Sequence, residues 1–287
     1  MVKMASTRKE RVKMNENIRP KKKIRCEIFN DNFQNYKKYG IPKAQLVIAD
    51  IPYNLGANAY ASNPQWYNDG DNENGESKLA NKSFFNTDGY FKIAEYMHFC
   101  SKLLIKEPKE KNKAPAMIVF CAFEQMQMVI DWGKKYGFNK SYPLFFIKDY
   151  SPQVLKANMK ILGATEFAVV LYRDKLPKFN NNGKMIFNWF KWEKEKNPNK
   201  IHPTQKPLPV LKRLIEIFTD EGDVVIDPVC GSGSTLIAAK ELNRSAYGFE
   251  IDKNFYKQAQ DWINGITVKE RNNKNKGEQS IFDFIGE

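Results

Sequence analysis

Residues 224–235 read Val224-Val225-Ile226-Asp227-Pro228-Val229-Cys230-Gly231-Ser232-Gly233-Ser234-Thr235. The apolar run predicts a short buried strand, and Pro228 to Gly233 a tight turn. Ser234–Leu242 reads as the helix that follows. Glycines are required where backbone approaches a ligand closely or takes a positive φ. The next strand, Ala246–Glu250, ends in Gly248-Phe249-Glu250-Ile251-Asp252. An acid at that strand's carboxyl end can accept hydrogen bonds from both hydroxyls of a ribose. The bland reading is a structural strand–helix turn.

Position 236 is Leu, so the third glycine of a dinucleotide fingerprint is missing. That disfavours a pyrophosphate cofactor such as NAD. A nucleoside without phosphates remains, and S-adenosylmethionine is one.

Outward from this loop the chain alternates strands and helices. Strands are expected at Ile24–Phe29, Gln45–Ala49, Ala116–Cys121, Pro143–Ile147 and Phe167–Tyr172. Helices are expected at Phe33–Tyr39, Tyr90–Ile105, Glu124–Tyr136, Leu208–Phe218 and Lys253–Ile263. This alternation predicts an α/β fold with a doubly wound, mostly parallel sheet. Hydrophobic residues make up 42% of the 287, enough for a real core. The longest apolar run, Ala116 to Phe123, has eight residues, far short of the roughly 20 that span a bilayer. Four scattered cysteines without a CxxC pair, and only two histidines, disfavour a disulfide framework and a zinc site. A cytoplasmic setting without membrane contact is expected.

A second motif stands at a strand end. Asp50-Ile51-Pro52-Tyr53 follows the apolar run Gln45–Ala49, where open α/β sheets place ligand groups. The Asp50 carboxylate and the Ile51 carbonyl can both accept hydrogen bonds from an exocyclic amino group. That directs the nitrogen lone pair toward an electrophilic methyl. Tyr53 offers a π-face to a base. A polar strand end followed by a turn is the alternative.

The formal net charge is +13, which points to an anionic partner, most often nucleic acid. Two segments carry it. Residues 1–25 hold ten lysines and arginines against two glutamates, and residues 175–200 hold seven lysines against two glutamates. The first reads as a basic flexible arm over 1–23. The second interleaves Lys191, Lys194 and Lys196 with Trp189 and Trp192, which suits phosphate contacts and base stacking. The polar stretch 54–83 is too long for a plain loop and reads as functional or disordered.

Taken together these motifs resemble the amino-methylating DNA methyltransferases, N6-adenine and N4-cytosine. Asp50–Tyr53 looks like the Asp-first catalytic tetrapeptide, with Ile51 in place of the first proline, so that the turn is less rigid. Asp227–Thr235 looks like the glycine-rich cofactor motif, with Val229 in place of a common Phe. His202-Pro203-Thr204-Gln205-Lys206-Pro207 matches the family segment that helps hold the methionine end of the cofactor. Gly163-Ala164-Thr165-Glu166-Phe167 resembles the family's His-Glu-Tyr, with Thr for His. Catalytic motif first and cofactor motif last resembles the β-group order.

The resemblance implies a Rossmann-like methyltransferase domain over 24–267, with an antiparallel edge strand. DNA-contact insertions would lie at about 54–83 and 175–200, and a tail at 268–287. It implies N6 methylation of a flipped adenine in double-stranded DNA, as in restriction-modification, with S-adenosylmethionine as cofactor and no metal. The cofactor would meet Asp31, Thr204, Gln205, Lys206, Asp227, Pro228, Gly231, Ser232, Gly233, Thr235, Glu250 and Asp252. Thr204 and Lys206 would reach the methionine carboxylate. His98 is expected at the core or its boundary. The alternatives are N4-cytosine or RNA-adenine methylation, a non-catalytic nucleic-acid-binding homologue and, more remotely, a nicotinamide dehydrogenase. The final peptide Gln279–Phe284 admits three readings: a plug on the domain, a sliding-clamp docking peptide, or a homodimer contact.

Overall fold

The structure is a computed structural model, and it describes residues 23–52, 91–149, 153–156, 161–192, 201 and 205–266. The arm 1–22, Tyr53, the stretch 54–83, Lys194, Lys196, His202, Thr204 and the tail lie outside the described residues.

Among the described residues, eight strands form one open sheet. They are β1 (Cys26–Phe29), β2 (Leu46–Asp50), β3 (Ala116–Cys121), β4 (Lys140–Lys148), β7 (Thr165–Tyr172), β8 (Trp189–Trp192), β9 (Val224–Asp227) and β10 (Ser245–Phe249). Their spatial order is β1-β10-β9-β2-β3-β7-β4-β8. The five strands β1, β10, β9, β2 and β3 pair in parallel. Strand β7 runs antiparallel to both β3 and β4. The reversal is therefore inside the sheet, not at its edge as expected; β8, parallel to β4, extends the sheet beyond it. Edge position is set by pairing between distant segments, which no local pattern reports. Two short strands, β5 (Gln153–Lys156) and β6 (Ile161–Gly163), form a separate antiparallel pair that the sequence did not announce.

Helices cover both faces. A 3-10 helix (Phe33–Lys38), α1 (Ile93–Leu103) and α2 (Met126–Lys135) pack on one side; α3 (Leu208–Phe218), α4 (Ser234–Glu241) and α5 (Lys253–Ile263) on the other. Alternation along β2 serves both layers. Leu46 and Ile48 face α3 and α4, while Val47 and Ala49 face α1. All six residues of β3 are buried, as central parallel strands require. Helix α3 begins after Pro207 with Pro209 in its first turn, where a missing N–H costs nothing. Its Leu211, Leu214, Ile215 and Phe218 form the buried stripe.

No described helix is long and apolar enough to cross a membrane. His98 is exposed on α1, edge-on to Tyr136, not in the core.

Candidate active site

The carboxyl ends of β1, β10, β9 and β2 lie side by side, so Asp31, Glu250, Asp227 and Asp50 come to one edge of the sheet. Open parallel sheets bind ligands at this edge because the loops there leave a crevice.

The glycine loop follows β9. Gly231 (φ 50°) and Gly233 (φ 76°) both take left-handed backbone, which a side chain would strain. Gly233 leads directly into α4. Beneath the loop, a Cβ on Gly248 would lie 2.8 Å from the Leu236 side chain and 2.9 Å from the Cys230 sulfur. The loop thus sits on β10 only because β10 has a glycine there.

Glu250 fixes the loop. Its carboxylate accepts from the Gly231 N–H at 2.9 Å and from the Asp252 N–H at 2.7 Å, one on each oxygen. The carboxylate, with about four lone-pair sites, retains acceptor capacity for a ligand hydroxyl. Burial pushes its pKa up, although these two backbone N–H groups oppose the shift. Asp252 itself caps α5, accepting from the Asn254 and Phe255 N–H groups. Asp31 accepts from the Asn35 amide at 2.6 Å and the Tyr39 hydroxyl at 2.7 Å. Those bonds hold its pKa below the ordinary value. Asn32, not Asp31, caps the 3-10 helix. Asn30 ties β1 to β10 through the Glu250 carbonyl, at 2.9 Å.

Asp227 is buried, and its pKa is raised to about 7. Desolvation drives the shift; the Thr235 hydroxyl and Val229 N–H oppose it, and the charges of Asp50 and Glu250 add to it.

Asp50 ends β2. The following Ile51 is buried, and its N–H donates to the Phe120 carbonyl at 3.1 Å. A proline could not make that bond, so the Ile51 substitution ties the strand end to β3. The turn gains an anchor where the sequence suggested looseness. The Gln125 amide donates to the Pro52 carbonyl at 2.9 Å and accepts from the Ala122 N–H at 3.0 Å. Gln125 thereby joins the exit of β3 to the exit of β2, and sequence reasoning did not single it out.

Lys206 differs most from expectation. Its ammonium bonds the Asp50 carboxylate at 2.5 Å and lies 3.8 Å from Glu166. Glu166 in turn bonds Lys148 at 2.5 Å. Lys148, Glu166 and Lys206 are all buried. Burial alone would lower the Lys206 pKa, but the Asp50 and Glu166 carboxylates outweigh it and hold the pKa raised. Trp192 covers the group: both ammoniums face its ring, Lys148 at 5.2 Å and Lys206 at 5.7 Å. Gln205 bonds locally, its side chain accepting from the Ile201 N–H.

Trp192 is only 4% exposed and belongs to the core, so in this arrangement it is closed to a stacking base. Trp189 is 47% exposed and stacks on Phe187. Lys191 projects outward near Asp149. Earlier in the same segment, Lys178 is buried between Asp220 and Asp223, at 2.7 Å from each. It lies at the amino end of β9, opposite the site. Among its described residues, 175–192, the basic segment is therefore not one surface: the first part staples the sheet, and β8 reaches the carboxyl edge.

The sequence model of the DNA methylase family matches residues 44–261. The chain belongs to that family. Among relatives, it is 32% identical over 184 residues to the type II methyltransferase M.HindIII of Haemophilus influenzae, covering 57% of this chain and 54% of that one. It is 29% identical over 155 residues to the putative methylase YubD of Escherichia coli, covering 54% and 64%. The chain thus spans about half to two thirds of the length of these two curated relatives.

Among solved structures, M1.HpyAVI in complex with SAM superposes with TM-score 0.61 at 21% identity, over 83% of this chain and 98% of that one. The cytosine-N4-specific PvuII DNA methyltransferase gives TM-score 0.60 at 14% identity, over 82% and 84%. At these identities the likeness concerns the fold.

Proposed function

We propose that this protein methylates an exocyclic amino group of a base in double-stranded DNA, with S-adenosylmethionine as donor. The carrying observation is the row Asp31, Glu250, Asp227 and Asp50 on one sheet edge, with the Gly231–Gly233 turn beside Glu250. The family assignment supports the same reading.

The residues present suit that donor. Glu250 keeps acceptor capacity for ribose hydroxyls after binding two backbone N–H groups. Asp31 is held ionised beside it, and Asp31 and Glu250 give the edge a negative character that favours a cationic sulfonium. When bound, S-adenosylmethionine supplies an electrophilic methyl group. Asp50 and the Ile51 carbonyl accept the two hydrogens of the target amine and so turn its lone pair toward the methyl. This is catalysis by orientation and fixed charge. The target nitrogen lies inside a duplex, so its base must be flipped, at a cost of a few kcal/mol. Stacking on Tyr53 would offset about 1–3 kcal/mol of it.

Adenine N6 is the target this reading favours, because the tetrapeptide begins with Asp. Cytosine N4 is the second reading, because the family takes in N6 and N4 enzymes alike. We place the protein in the cytoplasm, in a restriction-modification or related setting, with Lys191, Lys194, Lys196 and Trp189 on the DNA. The test is transfer of a labelled methyl to unmethylated duplex DNA and, in parallel, to RNA, followed by nucleoside analysis. N6-methyladenine is expected; N4-methylcytosine would select the second reading, and label in RNA alone would overturn the DNA assignment.

A further inference from the structure

We propose that Lys206 is a positioning residue for the target amine: held between Glu166 and Asp50, it fixes the Asp50 carboxylate and keeps it ionised. This rests on the function proposed above and changes the role of one residue within it. The segment around Lys206 resembles one that holds the methionine end of the cofactor, yet its ammonium is spent on Asp50.

The geometry carries the inference. Lys206 Nζ is 2.5 Å from Asp50 Oδ2 and 3.8 Å from Glu166 Oε2. The rings of Phe120 (5.3 Å) and Trp192 (5.7 Å) flank the ammonium. Its position is thus defined from β2, β3, β7 and β8, and little freedom remains for the ammonium to swing toward another anion. Asp50, in contrast, is partly open, its side chain 29% exposed against 7% for Lys206. A buried cation below and an open crevice above suit a carboxylate that must meet a ligand.

The chemistry requires an ionised carboxylate. An aromatic amine that gains a methyl must shed one proton. A carboxylate at its hydrogen can accept that proton and pass it to water; a carboxylic acid cannot. Among the described residues, the charged and titratable groups around Asp50 include Lys206 before α3, Glu166 on β7, Lys148 on β4 behind it, Asp227 on β9 and Cys121 on β3. Asp227 and Glu166 both oppose ionisation of Asp50. Among these groups Lys206 is the cation in direct contact with it, so it decides the balance. An opposite charge at such range lowers a carboxylate pKa by about 1–3 units.

The experiment measures methyl transfer against pH, and S-adenosylhomocysteine binding by calorimetry, for wild type, K206M, K206R and E166Q. K206M is expected to lose about tenfold or more in kcat. The acid limb of its pH profile should move up by about one unit or more, with S-adenosylhomocysteine affinity within about twofold of wild type. K206R, which keeps the charge, should restore the limb. E166Q removes a competing anion, so its limb should stay or move down. Opposite movements in K206M and E166Q cannot come from a general loss of folding. Should K206M fail to fold, the limbs of K206R and E166Q still decide. An unmoved acid limb in K206M, an E166Q limb that moves up, or S-adenosylhomocysteine affinity lost in step with turnover would each overturn the proposal. Absence of binding and transfer in the wild type would instead overturn the proposed function itself.

Discussion

The Lys206 ammonium lies 2.5 Å from the Asp50 carboxylate, across 156 positions of chain. This one contact joins the segment before α3 to the end of β2. Replacing Asp50 leaves the buried Lys206 and Lys148 ammoniums to share the one Glu166 carboxylate, at a cost in stability. Asp50→Ala should fold, bind S-adenosylhomocysteine nearly as wild type, and lose about 10²-fold or more in methyl transfer. Rapid-quench transfer of labelled methyl, with calorimetry alongside, checks both halves. Near-normal turnover would mean that the acceptor for the amine lies elsewhere.

Glu250 bridges the Gly231 and Asp252 N–H groups. Glu250→Ala takes away the ribose acceptor and also releases the loop. Hydrogen bonds to a charged group contribute about 1.5–3 kcal/mol, so S-adenosylhomocysteine should bind at least about tenfold more weakly. Equal calorimetric affinities for the two proteins would move the cofactor away from this edge.

Asp227 carries a pH signature. Its pKa is about 7 in the folded chain against an ordinary 3.8. The folded state then holds a proton that the unfolded state has lost, so this group's contribution to stability falls as pH rises from about 4 to about 7. Asp227→Asn abolishes that decline. Relative to wild type, the variant's urea midpoint should be higher at pH 8 than at pH 5. A difference that does not change with pH would show that Asp227 is ionised throughout.

The two tryptophans of β8 should behave oppositely. Trp192 is buried against Phe146 and covers both ammoniums, so Trp192→Ala should cost about 3–5 kcal/mol in unfolding titrations. Trp189 is exposed, and Trp189→Ala should scarcely change stability while weakening DNA binding by about 1–3 kcal/mol. If Trp189→Ala binds DNA like wild type, β8 is not part of the DNA surface.

Neutralising Lys191, Lys194 and Lys196 together should weaken DNA binding alike for all sequences. Each lost phosphate contact should flatten the logarithmic salt dependence by about 0.9. Lys178→Ala should instead lower stability and leave the salt slope alone, because Lys178 is buried between Asp220 and Asp223. A reduced salt slope in Lys178→Ala would contradict that placement.

Much of this molecule is local, and local features can be read from sequence. The apolar run and glycine turn at 224–235 became β9 and a loop with positive φ at Gly231 and Gly233. Leu208–Phe218 and Lys253–Ile263 became helices with those same bounds, because their apolar periodicity and their starts, after Pro207 and Asp252, agree. Asp50 and Asp227 each end a strand and Glu250 directly follows one, which suffices to bring them to one edge once the sheet is parallel. What the sequence could not settle depended on which distant segments meet. Strand β7 reverses between β3 and β4 rather than at an edge, and Trp192 turns inward while Trp189 stays out. The motif around Lys206 pointed to the cofactor rather than to Asp50, and Lys178 looks like any other lysine along the chain. Only packing decides that one meets Asp50 and Glu166 and the other Asp220 and Asp223. A charge is legible in sequence, but its partner is fixed by tertiary contacts, because desolvation makes a buried ammonium tolerable only where carboxylates have been brought to it.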